Sequence, residues 1–281
     1  MNIKFTLILV LTLIFSINLG YANKTNDSVE IMLKWLEARP FPPKYNKKVR
    51  DIIKQEIKGK LNSCLIQKDQ PISKREVKSI AKKNVGPLLN AFMISAIKLQ
   101  DKNYPVNNDP NISAVARLSW SLSDKYPWEC WDYLQPMITD TNILTSPSGE
   151  ILGYAISFNL TNQIMSNKEK FNEFLQAYRD VHPFYNRGYK GSVAILGRIG
   201  LILNEAYKTL TLDELEVLIK NEPYRMLSSR MLNEIRSHRP CEKGYQIYAE
   251  YYPKSCNPGM AKWKVKRNVR HFREYVDKME G

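Results

Sequence analysis

Beyond residue 28, apolar residues recur at intervals of three and four over most of the chain, the period of an amphipathic α-helix. Val49, Ile52, Ile53, Ile57, Leu61 and Leu65 form one such stripe, and Phe171, Phe174, Leu175 and Tyr178 a second. Leu212, Leu215, Leu218 and Ile219 form a third. The last stripe, Val265, Val269, Phe272, Val276 and Met279, has Lys264, Lys266, Arg267 and Arg270 spread over the rest of the same predicted helix. Three helix starts carry the S/T-x-x-E pattern, in which a hydroxyl and a carboxylate each accept from a free backbone N–H. They are Ser73-x-x-Glu76, Ser166-x-x-Glu169 and Thr211-x-x-Glu214.

Breakers fall at Pro40-Phe41-Pro42-Pro43, Asn103–Pro110, Ser146-Pro147-Ser148-Gly149, His182-Pro183 and Tyr252–Pro258. They divide the chain into about ten helices, and the expected class is mostly α: an irregular multi-helix domain stabilised by disulfides. Over 143–160 the pattern changes. Tyr154, Ile156, Phe158 and Leu160 alternate by two after a Ser-Pro-Ser-Gly turn, which admits one short β-hairpin. The run Val193–Leu203 is apolar on almost every side and predicts a central, buried helix.

The first 22 residues follow a different rule. Lys4 precedes an apolar run from Phe5 to Phe15, and the small-residue pattern Gly20-Tyr21-Ala22 closes it. That is the form of a cleavable export signal, and the run is shorter than the ~20 residues of a membrane span. The expectation is a signal peptide over 1–22 and a single basic helical domain over 23–281, with Asn103–Pro110 the best lobe boundary. A periplasmic or extracellular location follows.

Export changes the meaning of the cysteines. Cys64, Cys130, Cys241 and Cys256 are even in number and would meet an oxidising compartment. Two disulfides are expected, Cys241 with Cys256 across a Tyr- and Pro-rich segment and Cys64 with Cys130 by elimination. No two cysteines stand at C-x2-C spacing and no histidine lies at ligand spacing from another, so no metal site is expected. Gly-rich phosphate loops and dinucleotide fingerprints are missing too, and no cofactor is expected.

The net charge of +14 points to anionic partners or to solubility alone. Cations cluster at Lys44–Lys60, Lys74–Lys83 and Lys262–Arg270, and the final basic amphipathic stripe, 262–281, could also lie on a membrane surface. Nucleic acid is the less favoured partner.

Candidate chemistry is sparse. Trp128-Glu129-Cys130-Trp131-Asp132-Tyr133 sets Glu129 and Asp132 at i, i+3 with Trp128 and Trp131 beside them, a pattern that could stack on sugars and cleave an envelope polymer with two carboxylates. The alternative is an aromatic core around a disulfide. His182 opens a stretch with Tyr185, Arg187 and Lys190 that is expected to form a loop between two helices, with functional side chains or core-covering aromatics. Ser79-x-x-Lys82 matches a nucleophile spacing but lacks that motif's partner sequences. Arg198, inside the apolar 193–203 run, requires an acidic partner, backbone carbonyls or an anionic ligand. The function these residues favour is an exported, non-catalytic helical protein that binds a protein or an acidic envelope polymer. The rivals are a secreted hydrolase using Glu129, Asp132 or His182, and a nucleic-acid or membrane-surface binder.

Overall fold

A computed structural model of the chain describes residues 28–38, 42–65, 72–157, 160 and 164–238. These residues fold into α-helices joined by short turns, with no strand among them. In chain order the helices are α1 (28–37), α2 (Lys47–Leu65), α3 (Lys74–Lys83), α4 (Val85–Leu99), α5 (Pro110–Lys125) and α6 (Pro127–Leu134). There follow α7 (Thr141–Leu144), α8 (Pro147–Tyr154), α9 (Lys168–Asn186), α10 (Lys190–Tyr207), α11 (Leu212–Asn221) and α12 (Arg225–His238). The chain divides into two compact units, Met1–Phe158 with Asp180–Arg198 and Asn159–Arg179 with Ile199–Gly281.

The first unit is built around α4. Leu88, Leu89, Ala91, Phe92 and Ala96 are wholly buried there, and α2, α5 and α8 pack against it. Ser95 is buried as well, its hydroxyl donating to the Ala91 carbonyl at 2.8 Å, so the polar atom costs little. Gly86 receives the Tyr133 ring of α6: a methyl there would lie 2.7 Å from the ring edge. On the other side of α2, Glu30 of α1 meets Arg50 at 2.6 Å and Lys54 at 2.7 Å, while Glu37 pairs with Arg50 and Tyr45.

Two of the three expected capping boxes form. Ser73 with Glu76 and Thr211 with Glu214 exchange both bonds. At α9 the cap falls one residue later than expected: the Asn167 carboxamide oxygen accepts from the Lys170 N–H at 3.2 Å, the geometry of a helix capped by Asn167.

The Asn103–Pro110 segment lies within the first unit and does not divide lobes. Its polar residues serve the start of α5. Asp109, completely buried, accepts from the Asn111 N–H at 2.8 Å and, through its other oxygen, from the Asp101 N–H at 2.8 Å, and Pro110 takes the first helical position.

The β-hairpin expected near 143–160 is not formed over the described part of that stretch. Ser146 caps α8 by accepting from the Ser148 N–H, and Pro147 opens the helix. Gly149 and Gly153, one turn apart, let α8 press onto the first turns of α10, where the Gly149 and Gly191 backbones all but touch. The alternation by two was a coincidence of Tyr154 and Ile156 at the helix end; tertiary contact of the glycine face outweighs it.

The breaker at His182-Pro183 is also absorbed. The helix α9 runs through Pro183 and stops only at Gly188, whose φ of +80° lies in the left-handed region that glycine adopts without strain. The Gly188 N–H donates to the Tyr185 carbonyl at 2.9 Å and the Tyr189 N–H to the Phe184 carbonyl at 3.0 Å, the Schellman pattern of helix termination. Phe184 and Tyr189 stack at 5.8 Å across it. The expected loop from His182 to Lys190 is therefore a helix end and a three-residue turn.

In the second unit α11 packs with α12, and Phe171 of α9 meets Tyr207 of α10 edge to face at 6.3 Å. The Glu222 carboxylate, 2% exposed, grips the Arg179 guanidinium through both oxygens at 3.1 and 2.5 Å. Arg230 lies over the Tyr178 ring, with its Nε donating to the Tyr178 hydroxyl at 3.0 Å.

Candidate functional site: an apolar groove in the second unit

The residues singled out by sequence separate in space and in role. Trp131 is 1% exposed and points into the core of the first unit beside Cys130, so it cannot line a sugar-binding cleft with half-buried Trp128. The Glu129 carboxylate lies 3.6 Å from Lys82, the lysine of the Ser79-x-x-Lys82 match, and Asp132 is exposed on the outer face of α6. The reason is the helix itself: with Cys130, Trp131 and Leu134 turned inward, Glu129 and Asp132 fall on the opposite face.

Cys130 is buried and free in this structure, and the side chain of Cys64, its expected partner, lies outside the described residues. Burial pushes its thiol far above the ordinary value, with Glu129 and Asp124 adding to the effect. The other expected bridge, Cys241 with Cys256, lies outside the described residues, as does the basic stripe 262–281.

His182 is buried, 5.8 Å from the Tyr185 ring and with its Nδ1 3.4 Å from the Asn186 side chain. Tyr185 is exposed, and Arg187 folds back over Phe184 at 5.7 Å. These side chains close a helix end and converge on no common point.

Arg198 is half-buried, and aromatic rings are among its partners. Its guanidinium sits 4.7 Å from the Trp120 ring and 4.7 Å from the Tyr154 ring, in cation–π contact with both. The Glu150 carboxyl, raised above its ordinary value by burial, feels the Arg198 charge, which draws it partly back. Nothing in the sequence joins Trp120, Glu150 and Tyr154 to Arg198; only the packing of α5 and α8 on the first half of α10 brings them together. The helix α10 is also less central than its composition implied. Val193 and Leu201 are exposed, and Gly197 faces open space; α4 holds the central place instead.

The feature that composition did not reveal is an apolar groove in the second unit. Its walls are the first turns of α9 and α11, and its volume is about 520 Å³. Phe171 and Leu210 form part of the lining as largely buried residues, while Met165 and Leu218 are half-buried. Val217, 58% exposed, stands at the opening. Lys168, Asn172, Asp213 and Glu214 make the polar edge. The helices place these groups simply: Asn167 and Thr211 cap the two starts, so residues 168, 171 and 172 of one and 213, 214, 217 and 218 of the other rise on facing ridges. A signal was present in the sequence, since Val217 is an apolar residue standing off the stripe of Leu215, Leu218 and Ile219.

Chemically the groove can bury apolar side chains and little else. Its carboxylates lie at the edge rather than facing each other across a reacting volume. Among the described residues no cluster of three or more His, Cys, Asp or Glu could hold a metal, and no helix is long and apolar enough to cross a membrane. The chain matches no protein-family model, no curated protein and no solved structure.

Proposed function

We propose that the chain is an exported, non-catalytic helical binding protein that holds a protein partner through the groove between α9 and α11. The observation that carries this reading is the groove itself. An apolar opening of about 520 Å³ with Val217 58% exposed leaves hydrophobic surface in water, which a binding partner would remove. An acidic polymer suits it less well, because Asp213 and Glu214 stand at the edge. The hydrolase reading has weaker support, with Trp131 in the core and Glu129 beside Lys82.

The test is a pull-down by the full mature chain from the envelope extract of its own organism, run beside Val217→Asp. Position 217 is exposed, so the charge enters without disturbing the core. One stoichiometric protein retained at high salt by the wild type and lost by Val217→Asp is the expected result. Retention by both chains, or of salt-sensitive polymer alone, would refute the assignment.

A further inference from the structure

Resting on that groove reading, we infer that the occupant is a basic-flanked amphipathic helix of the partner, entering with large apolar residues from one stripe. Two observations lead there. The walls are two helices, whose facing residues recur at i, i+3 and i+4 on α9 and at i, i+1, i+4 and i+5 on α11. A channel between helical ridges accepts a third ridge with apolar anchors at the same spacing. From Asp213 to Leu218 the wall rises by about 7.5 Å, room for two anchors one turn apart.

The second observation is charge. The whole chain is strongly basic, yet the groove edge carries two carboxylates, Asp213 and Glu214, against the single cation Lys168. Glu214 accepts from the Thr211 N–H at 2.7 Å and from the Thr211 hydroxyl at 3.0 Å, so its charge is held in place. Asp213 is exposed and has no hydrogen bond or ion pair among the described residues. A cation on the incoming helix, beside its apolar stripe, would meet both carboxylates at the edge while its neighbours fill the groove. A neutral apolar ligand would leave them unused, and an acidic helix would be repelled.

Two fluorescein-labelled amphipathic peptides of equal length serve as probes, one of Leu and Lys and one of Leu and Glu, read by fluorescence anisotropy against the full mature chain. The overall charge of the protein favours the Leu/Glu peptide, so the expected result runs against it. The Leu/Lys peptide binds roughly tenfold tighter, the size two edge charges can supply. Asp213→Asn with Glu214→Gln narrows that preference, and Val217→Asp, with an unchanged circular dichroism spectrum, abolishes binding of both peptides.

Equal binding of the two peptides, with both lost in Val217→Asp, would overturn the basic-partner inference and leave the groove reading standing. No binding by either, or binding indifferent to Val217→Asp, would overturn both. Sedimentation of the wild type as a dimer that Val217→Asp dissociates would make a second copy the occupant and so refute the inference.

Discussion

Replacing Gly153 by alanine tests the contact that makes α8 a helix packed on α10. A methyl at 153 would stand 2.4 Å from the Ala194 methyl, 2.7 Å from the Ala194 carbonyl carbon and 2.9 Å from the Ile195 nitrogen. Two of those atoms are backbone, so no side-chain rotation relieves the overlap, and the helices must move apart by about 1 Å to restore ordinary contact distances. Overpacking of this kind costs about 1–3 kcal/mol. Alanine's better helix propensity offsets little of it, because Gly153 lies one residue from the end of α8.

Gly197→Ala is the matched control. It lies inside α10, faces open space and should stabilise by about 0.5–1 kcal/mol through propensity alone. Urea unfolding followed by far-ultraviolet circular dichroism compares the two. They should separate by at least ~1.5 kcal/mol in opposite directions. Adding Ala194→Gly to Gly153→Ala should recover only part of the loss, since the backbone contacts persist. Gly153→Ala as stable as the wild type would refute the close approach of α8 and α10, and with it the stated reason that no hairpin forms there.

Glu150→Gln should change how stability depends on pH. Burial raises the Glu150 carboxyl above 4.5, so the folded chain holds that proton more tightly than the unfolded chain, and the fold weakens as pH rises past 4.5. The variant should be the more stable at neutral pH, with the advantage gone below pH 4.5, and parallel pH profiles for the two chains would contradict this. Glu222→Ala removes both bonds to Arg179 and the acceptor of the Tyr224 N–H. With Arg179 28% exposed, water recovers part of its charge, and a loss of about 2–3 kcal/mol in thermal or urea unfolding is expected. A change within the scatter of surface substitutions would count against the buried pair. Cys130 should resist a thiol reagent in the native chain and react once urea unfolds it, read by peptide mass spectrometry; native labelling at the unfolded rate would show that the thiol is accessible.

What the sequence determined by itself was local. Helical class follows from spacings of three and four, and the caps at Ser73 and Thr211 follow from residues three apart in the chain, because each bond closes within one turn. The sequence misled where a local preference met a packing partner it could not see. Pro183 resembles a helix end, yet α9 passes through it and stops at Gly188; alternation after Gly149 resembles a strand, yet a glycine face needed a helix to lie against. The pair Glu129 and Asp132 drew attention because two tryptophans adjoin it, and only the packing of α6 showed that Trp131 belongs to the core.

Arg198 was legible as a charge in need of company within an apolar run, but its neighbours Trp120, Glu150 and Tyr154 come from other helices, and no spacing rule joins them. The groove was legible least of all. Phe171 and Leu218 read as core residues in their own helices, and a helix-long pattern shows which face is apolar without showing whether a neighbour covers it. Only the placement of α9, Leu210 and α11 left that face open at Val217, because exposure is a property of the gap between elements and not of either element alone.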